Sequence, residues 1–435
     1  MSVLSGVLGI LALFVLLAIK MPVGFAMMAV GIVGITLLQS WNAALSTLST
    51  ETFELIMKPD LTIIPLFVLM GNLAGISGIS ANLYDAANTF MSRLRGGLAS
   101  ATIAACAGFS ALSGSSIAAA VTMGQVALPE MRRLKYNMGF SAATVAAGGT
   151  LGILIPPSTG LVLYALLTEQ SIGQLFVAGV LPGILLTCLF IIVISLTARF
   201  WPNRVHDAQS EVQIIQNKLA ALAGAFPFLG LVIVTVGGIY TGIFTPVESA
   251  SVGVMLALGI ALWRKSLTFA KFFESLRNTL VTSAMCYTIV MGANVLNPFL
   301  ARSGLTSAVT ETLLGLGLSA NGTLLMILAI FLVLGTFMEG FAMLVLIVPI
   351  VFPVITSLGI DPIHFGILLV VAMEVGMITP PVGLNVFVVR SLVPDVPSGQ
   401  IYAAILPFVV AMLACIGLLV AFPEIALFLP SAMYR

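Results

Sequence analysis

Two proline pairs, Pro156–Pro157 and Pro380–Pro381, are the residues whose type and spacing most directly suggest chemistry in this sequence. Proline has no amide hydrogen and clashes with the carbonyl four residues earlier, so two in succession break a helix. Carbonyls released before each break, at 149–155 and 376–379, can bind a hard cation. The helix that resumes after the break directs its amides and positive dipole end at an anion. One pair alone would merely kink a packed helix, but two corresponding pairs favour a binding site.

The proline pairs are part of an internal repeat. The same interval separates the members of three further pairs: Pro22 and Pro246, Pro129 and Pro353, and Gly152 and Gly376. The fragment MPVGFAMMAVG resembles TPVESASVGVM, and GILIPPSTG resembles GMITPPVGL. Two copies of one unit, each with an interrupted hydrophobic segment, are typical of secondary transporters.

The composition places these elements in a membrane. Hydrophobic residues make up 60% of the chain and charged residues 8%, whereas a soluble domain is about 25% charged. The sequence therefore predicts an all-α polytopic membrane protein and excludes a soluble domain with one anchor. The cysteines lie singly in apolar runs, so we expect no disulfide or metal framework.

The basic residues orient the predicted spans. Crossings are predicted at 3–19, 22–39, 61–80, 138–168, 172–198, 219–240, 246–263, 280–301, 362–393 and 400–429. With the Lys20 loop in the cytoplasm, all basic residues except Lys58, Arg302 and Arg435 fall inside. Both termini are then outside. An odd number of crossings on each side of a cytoplasmic linker at 199–218 makes 1–198 and 219–435 inverted repeats.

Two apolar stretches do not fit as full spans. Segment 97–131 has basic residues at both ends, so we expect a re-entrant helical hairpin with its tip in GFSALSGSS; a single span with ragged ends is the alternative. Segment 322–357 is its counterpart, with its tip in LGTFMEGF. The broken helices 138–168 and 362–393 follow the two hairpins. Amphipathic segments 42–57 and 267–279 are predicted to lie at the bilayer surface.

Four fragments carry a family resemblance: GFSALSGSSIAAAVTMGQVALPEM, GGTLGILIPPS, GGIYTGIFTPVESASVG and GMITPPVGLNVFVV. With them, across nearly its whole length, the chain resembles the DctM-type large membrane subunit of TRAP (tripartite ATP-independent periplasmic) transporters. It implies a sodium-driven, elevator-type importer of the ion transporter superfamily, with a scaffold and a transport domain, in the bacterial inner membrane. It also implies two partners, a soluble periplasmic substrate-binding protein and a separate small four-span membrane subunit.

The resemblance further implies two sodium ions, each between a hairpin tip and a helix break, with no organic cofactor. The first sodium site would comprise Ser113, Ser115, Ser116, Gly149, Gly152 and Pro156. The second would comprise Gly335, Thr336, Glu339, Gly376, Thr379 and Pro380. Many of the ligands would be backbone carbonyls. The role of Glu339 is open between sodium binding, proton transfer and structural hydrogen bonds, and that of Glu374 is also open.

Substrates of the resembled family are mostly organic anions that carry a carboxylate, or occasionally a sulfonate. The residues expected to contact such an anion are Ser158, Thr159, Asn385, Asn294 and Asn297. The serine and threonine would equally cap the helix that begins beside them, and buried asparagines often join helices. The sequence does not disclose the substrate, the ion stoichiometry or the oligomeric state.

Rival functions remain. An autonomous sodium/anion symporter would have the same fold and ion sites without the binding protein. An intramembrane serine hydrolase would use Ser110, but the two histidines, His206 and His364, are predicted to lie in the linker and at the opposite face. A passive channel is the third alternative. We expect a transporter and no enzymatic activity, because the interrupted helices favour alternating access around a midplane site.

Overall fold

The computed structural model describes residues 2–91, 93–205 and 218–433, and these ranges contain helices and no β-sheet. The all-α prediction is therefore confirmed. The first-half helices are α1 (Ser2–Ala18), α2 (Val23–Leu38), α3 (Trp41–Met57), α4 (Ile63–Ile76), α5 (Ile79–Met91), α6 (Gly97–Ser113), α7 (Ser116–Arg133), α8 (Met138–Leu154), α9 (Thr159–Thr168), α10 (Ile172–Phe200) and α11 (Pro202–Val205).

The second half has a similar series of helices. They are α12 (Lys218–Tyr240), α13 (Pro246–Trp263), α14 (Phe269–Arg302), α15 (Leu305–Gly315), α16 (Ala320–Gly335), α17 (Gly340–Ser357), α18 (Pro362–Ile378), α19 (Leu384–Leu392), α20 (Ser398–Ala421) and α21 (Glu424–Met433). Residues 206–217 of the predicted linker, with His206, and the C-terminal Arg435 lie outside the described ranges.

Eight helical segments in the described ranges are long and apolar enough to cross a membrane. Their length and composition support a multi-pass membrane protein. Several shorter apolar helices accompany them, including α1, α2, α6 and α16. The inversion of the repeat and the boundaries at 198 and 219 remain predictions.

The same local pattern occurs twice along the chain. Helices α6 and α7 are joined by a two-residue turn and followed by α8 and α9, with the first proline pair between them. Helices α16 and α17 are likewise followed by α18 and α19, with the second pair between them. The two sets interlock, because α18 packs on α8 and α9, and α19 packs on α7 and α8.

A second group of helices packs through small residues. Helix α14 lies along α2, and α13 lies along α4. A Cβ atom added to Gly31 of α2 would be 2.7 Å from the Val295 carbonyl oxygen of α14, so the two backbones are in direct contact. Such close approach is how membrane helices gain packing energy where lipid offers no hydrophobic driving force.

Two predicted boundaries are wrong. The amphipathic segment 267–279 is not a separate surface element, because α14 continues unbroken from Phe269 to Arg302. The predicted crossing 400–429 is two helices, since α20 ends at Ala421 and α21 begins at Glu424, after Pro423. Proline disfavours helical geometry in the residue before it, which accounts for the second difference. Helices α5 and α15 were not predicted.

Candidate functional site

The tip of the first hairpin is a tight turn between two helix ends. Gly114 ends α6 with a left-handed backbone (φ +58°), a conformation that side chains disfavour. Ser115 then begins α7 as its N-cap, and its hydroxyl oxygen accepts a hydrogen bond from the Ala118 amide at 3.4 Å. Ser113 donates from its hydroxyl to the Ser115 carbonyl at 3.5 Å. Three oxygen-bearing groups are thereby gathered at one turn.

The first helix break follows directly from its prolines. Pro156 and Pro157 have no amides to give to the carbonyls of Gly152 and Ile153, so α8 ends at Leu154. The Ser158 hydroxyl donates to the Ile153 carbonyl and accepts from the Leu161 amide at 3.2 Å, which begins α9. Pro156 thus leaves the Gly152 carbonyl without its usual helical donor.

The first tip and the first break are in contact. Thr159 donates to the Gly114 carbonyl from both its amide (3.2 Å) and its hydroxyl (2.6 Å). A Cβ atom on Gly152 would lie 2.5 Å from the Ser115 carbonyl oxygen, and one on Gly149 would lie 2.9 Å from that of Ser116. The structure therefore brings the serines and glycines of the predicted first sodium site together. The Pro156 ring instead lies near Gly179 of α10.

The second hairpin tip is wider than the first. Helix α16 ends at Gly335, and Glu339 begins α17 by accepting the Ala342 amide on its carboxylate at 3.1 Å. The Thr336 hydroxyl donates to the Val333 carbonyl at 2.8 Å, within its own helix end. A Cβ atom on Gly376 would lie 2.6 Å from the Cα of Gly335, so this tip touches α18 through backbone.

The second break has the same cause and a different environment. At the end of α18 the Thr379 amide donates to the Gly376 carbonyl at 3.1 Å, and its hydroxyl donates to the Val375 carbonyl at 2.6 Å. Pro380 and Pro381 are exposed, whereas Pro156 and Pro157 are buried. The second predicted site therefore lies closer to the surface of the described structure than the first.

Two buried polar side chains lie in the second broken helix. Glu374 is 1% exposed and Asn385 is 0% exposed; the Asn385 amide has no hydrogen-bond partner, and the Ser116 hydroxyl interacts with the Glu374 carboxyl. Glu374 precedes Met377 by one helical turn, and the Met377 sulfur contacts the Ser116 hydroxyl at 3.9 Å. Unpaired polar groups at such depth are costly and mark candidate functional positions.

A polar cavity of about 420 Å³ lies beside the first hairpin tip. Its hydroxyl, amide and carboxylate lining comes from the hairpin, α9, α4 and α14, namely Ser113, Ser115, Thr122, Gln125, Thr159, Asn72, Glu274, Ser275, Asn278 and Thr282. Its lining includes no lysine or arginine. The cavity can therefore bind a small polar ligand through neutral donors and the amides at helix starts.

Only one of the predicted substrate-binding residues lines this cavity. Thr159 lines it, whereas Ser158, Asn385, Asn294 and Asn297 do not. The two α14 asparagines lie in the part of that helix that packs on α2. Sequence reasoning missed Asn72, which donates to the Thr279 hydroxyl at 3.1 Å, and Asn278. The available signal was an amide side chain within an apolar or amphipathic helix.

The serine proposed for a hydrolase is engaged in its own helix. The buried Ser110 hydroxyl donates to the Cys106 carbonyl at 2.6 Å. His364 bonds the Leu419 carbonyl through Nε2 at 2.9 Å. Neither residue contacts the other, so the geometry of the described residues does not support this nucleophile.

Known proteins resemble this chain along most of its length. It is 39% identical over 390 residues to the C4-dicarboxylate TRAP transporter large permease protein DctM of Pseudomonas aeruginosa, covering 88% of this chain and 89% of that protein. It is 32% identical over 423 residues to the isethionate TRAP transporter permease protein DctMQ of Oleidesulfovibrio alaskensis, covering 97% of this chain and 65% of that longer protein.

The fold also matches a solved transporter structure. The YdaH transporter of Alcanivorax borkumensis, described as having an unusual topology, superposes with a TM-score of 0.60 over 87% of each chain, at 16% sequence identity. This likeness concerns the fold alone. Residues 10–425 match the family model described as the tripartite ATP-independent periplasmic transporter, DctM component. The chain therefore belongs to the DctM family of TRAP transporter large membrane components.

Proposed function

We propose that this chain is the large permease subunit of a sodium-driven secondary transporter that imports a small organic anion. The observation that carries the proposal is the pairing of each hairpin tip with a helix break, Ser115 against Gly152 and Gly335 against Gly376. Interrupted helices that meet in this way supply both carbonyls for a cation and amides for an anion. Membership of a family of transporters supports the same conclusion.

The two tip–break contacts have the chemistry that sodium requires. Sodium is a hard cation that prefers oxygen ligands, and the proline pairs leave carbonyls one turn earlier without helical donors, those of Gly152 at the first break and Met377 at the second. Hydroxyl oxygens of Ser113 and Ser115 lie at the first contact, and that of Thr379 lies at the second. Glu339 is occupied as a helix cap, so its proposed role is to hold the second tip in shape.

The cavity suits a small anion. Its volume of about 420 Å³ falls in the range for small-molecule sites, and hydroxyl and amide groups line it together with a single carboxylate, that of Glu274. The start of α7 at Ser115 and that of α9 at Thr159 border it, where helix dipoles favour negative charge. The relatives named for a C4-dicarboxylate and for isethionate, a sulfonate, support a carboxylate or sulfonate substrate.

The position of the cavity supports an inward-facing arrangement. It extends from the first hairpin tip to Glu274, near the start of α14. The predicted topology places this end of α14, with Lys271 and Arg277, in the cytoplasm. In the proposed elevator cycle, α6–α9 and α16–α19 carry substrate and ions past a scaffold that includes α2, α13 and α14.

Two partners complete the proposed system in a bacterial inner membrane. A soluble periplasmic protein would capture the anion, and a small four-span subunit would pack on the scaffold. The description of the family as tripartite supports this assembly. This chain spans only 65% of the DctMQ relative, so that protein is long enough to include an additional component.

Thermal melting in sodium, compared with equal potassium or choline, tests the cation sites without a known substrate. A ligand at a hundredfold excess over its Kd stabilises the folded state by about 2.7 kcal/mol. We expect a sodium-specific rise that shrinks in Ser115→Ala and Thr379→Ala. Ser251→Ala, which removes a hydroxyl bonded to the Val247 carbonyl within α13, is the control and should keep the full rise. A folded protein without any sodium effect would overturn sodium coupling.

Uptake into proteoliposomes tests the partners. With the small subunit reconstituted, an inward sodium gradient should drive uptake of a dicarboxylate or sulfonate only when the cognate binding protein is added. Equal uptake without the binding protein would indicate an autonomous symporter instead.

A further inference from the structure

A second polar cavity lies where α8, α10, α11 and α20 meet. Its volume is about 330 Å³. Both polar and apolar groups line it. The polar lining is Asn137, Thr197, Arg204 and Gln400, and the apolar lining from α20 is Ala403, Ala404 and Pro407.

Backbone contacts fix Arg204 at this cavity. The Asn137 amide donates to the carbonyl of the neighbouring Val205 at 3.1 Å, which ties α11 to the start of α8. Val205 is fully buried, so the turn is anchored. The Arg204 guanidinium lies 5.7 Å from the ring centroid of Trp201, a cation–π contact that holds the side chain in place.

The charge of Arg204 is not neutralised within the described ranges. Two carboxylates near the same end of the helices have other partners, since Asp395 binds Arg132 at 2.8 Å and Glu130 binds Arg133 at 2.5 Å. The cavity lining itself contains no acid. Among the described residues, the cavity has one positive charge, two side-chain amides and no counter-ion, and such a lining favours an anionic group.

The surroundings of the cavity are those of a bilayer surface. Phe200 and Trp201 are exposed, as aromatic residues at a membrane interface are. Leu196 and Leu406, next in sequence to the lining residues Thr197 and Pro407, are exposed apolar side chains on α10 and α20. The helices that line the cavity therefore also expose apolar side chains of the kind that contact lipid hydrocarbon.

From this arrangement we infer that the cavity binds an anionic phospholipid, with its phosphate at Arg204 and its acyl chains along α10 and α20. Basic pockets between membrane helices on the cytoplasmic side have the chemistry for such headgroups. The inference depends on the cytoplasmic placement of this end, and it does not depend on the sodium sites or the transported substrate.

Native mass spectrometry of the detergent-purified protein tests the inference, with phosphatidylglycerol and phosphatidylcholine of identical chains. We expect preferential binding of phosphatidylglycerol and about fivefold weaker binding in Arg204→Gln, the factor for one basic residue at a lipid surface. Arg199→Gln is the matched control, because Arg199 stacks on Phe200 at 5.9 Å outside the cavity. Ala404→Phe fills part of the cavity from its apolar lining, keeps Arg204, and should also lose the lipid.

Each alternative has a distinct result. Equal losses in Arg199→Gln and Arg204→Gln would show general surface electrostatics and overturn the site. Displacement of the lipid by glycerol phosphate at equal concentration would show a site for a soluble anion. Unchanged phosphatidylglycerol binding in a folded Ala404→Phe variant would also overturn the inference, and so would the absence of any preference over phosphatidylcholine.

Discussion

Gly335 and Gly376 meet backbone to backbone, with the Cα of Gly335 only 2.6 Å from where a Cβ atom on Gly376 would stand. The contact joins the end of α16 to the last turn of α18, one turn before the second break. No side chain separates the hairpin tip from the helix whose carbonyls the prolines release. The second candidate ion site therefore depends on two glycines as much as on its oxygen-bearing residues.

Gly376→Ala should destabilise the protein by about 1–3 kcal/mol, the usual penalty for overpacking a tight contact. The melting temperature in potassium measures this loss. Gly259→Ala in α13 is the matched control, because nothing lies within 4 Å of its added Cβ atom. That control should leave the melting temperature unchanged or raise it. Equal melting temperatures for the two variants would show that the glycine contact is not tight.

Thr159→Val should loosen the first hairpin tip. The substitution keeps the shape of the side chain and removes the 2.6 Å hydrogen bond to the Gly114 carbonyl, at a cost of about 1 kcal/mol. It should also reduce stabilisation by sodium, because only the Thr159 amide would then join the break to the tip. Thr168→Val removes a hydroxyl from the same helix, bonded to the Tyr164 carbonyl, and should lose stability without losing the sodium effect.

Local features of the sequence were sufficient to predict the breaks and the tips. Proline removes particular hydrogen bonds wherever it stands in a helix, so the ends of α8 and α18 follow from Pro156 and Pro380. The α14 boundary was not predictable from hydropathy, because polarity changes near residue 280 while neither proline nor glycine occurs between Phe269 and Met291. A helix continues through a change of polarity when nothing breaks it.

The cavity lining was harder to predict than the breaks. Asn72, Asn278 and Asn297 have similar local sequence signals, since each is an amide within a helix. Tertiary packing alone decides that the first two line the cavity and that Asn297 does not. The position of Asn385 also could not be predicted from local sequence. It lies just past a break as predicted, but it is fully buried and does not line the cavity.

Arg132→Gln should remove a contribution to the folding stability that is present at neutral pH and lost in acid. Arg132 donates to both carboxylate oxygens of Asp395, at 2.8 and 2.9 Å, and this bond lowers the pKa of that exposed carboxyl. Because the pKa of Asp395 is lower in the folded protein than in the unfolded chain, the ion pair stabilises the fold at pH values above the unfolded-state pKa of about 3.9. This stabilisation is lost as the pH falls through the folded-state pKa. The melting temperatures of wild type and variant should differ slightly at neutral pH and converge in acid.

The size of that difference should respond to salt, because both side chains are about half exposed and screened by ions. Arg133→Gln is the comparison, since its partner Glu130 lies in the same helix. A difference between wild type and Arg132→Gln that persists in acid would show that packing, and not the ion pair, is responsible.

In potassium, Glu374→Gln should leave the melting temperature nearly unchanged, whereas Glu339→Gln should lower it. Glu374 has the Ser116 hydroxyl beside it, and an amide of the same shape keeps an oxygen that can accept from that hydroxyl and no longer risks a buried charge. Glu339 caps α17 through its carboxylate, and complete loss of a cap costs about 0.5–2 kcal/mol, so the weaker amide acceptor should cost part of that. Thermal melting of the two variants checks the contrast. A large loss in Glu374→Gln would reveal a further partner for that carboxylate.

Thr122→Cys should report directly on the cavity beside the first hairpin. Thr122 lines the cavity, so a thiol placed there should react with a polar maleimide, whereas Thr144→Cys on the fully buried part of α8 should not. The background needs the exposed Cys188 replaced by serine; Cys106, Cys286 and Cys415 are buried. Bound anion should slow the labelling of Thr122→Cys. Failure of this position to react in the folded protein would contradict a water-filled cavity open to the cytoplasm.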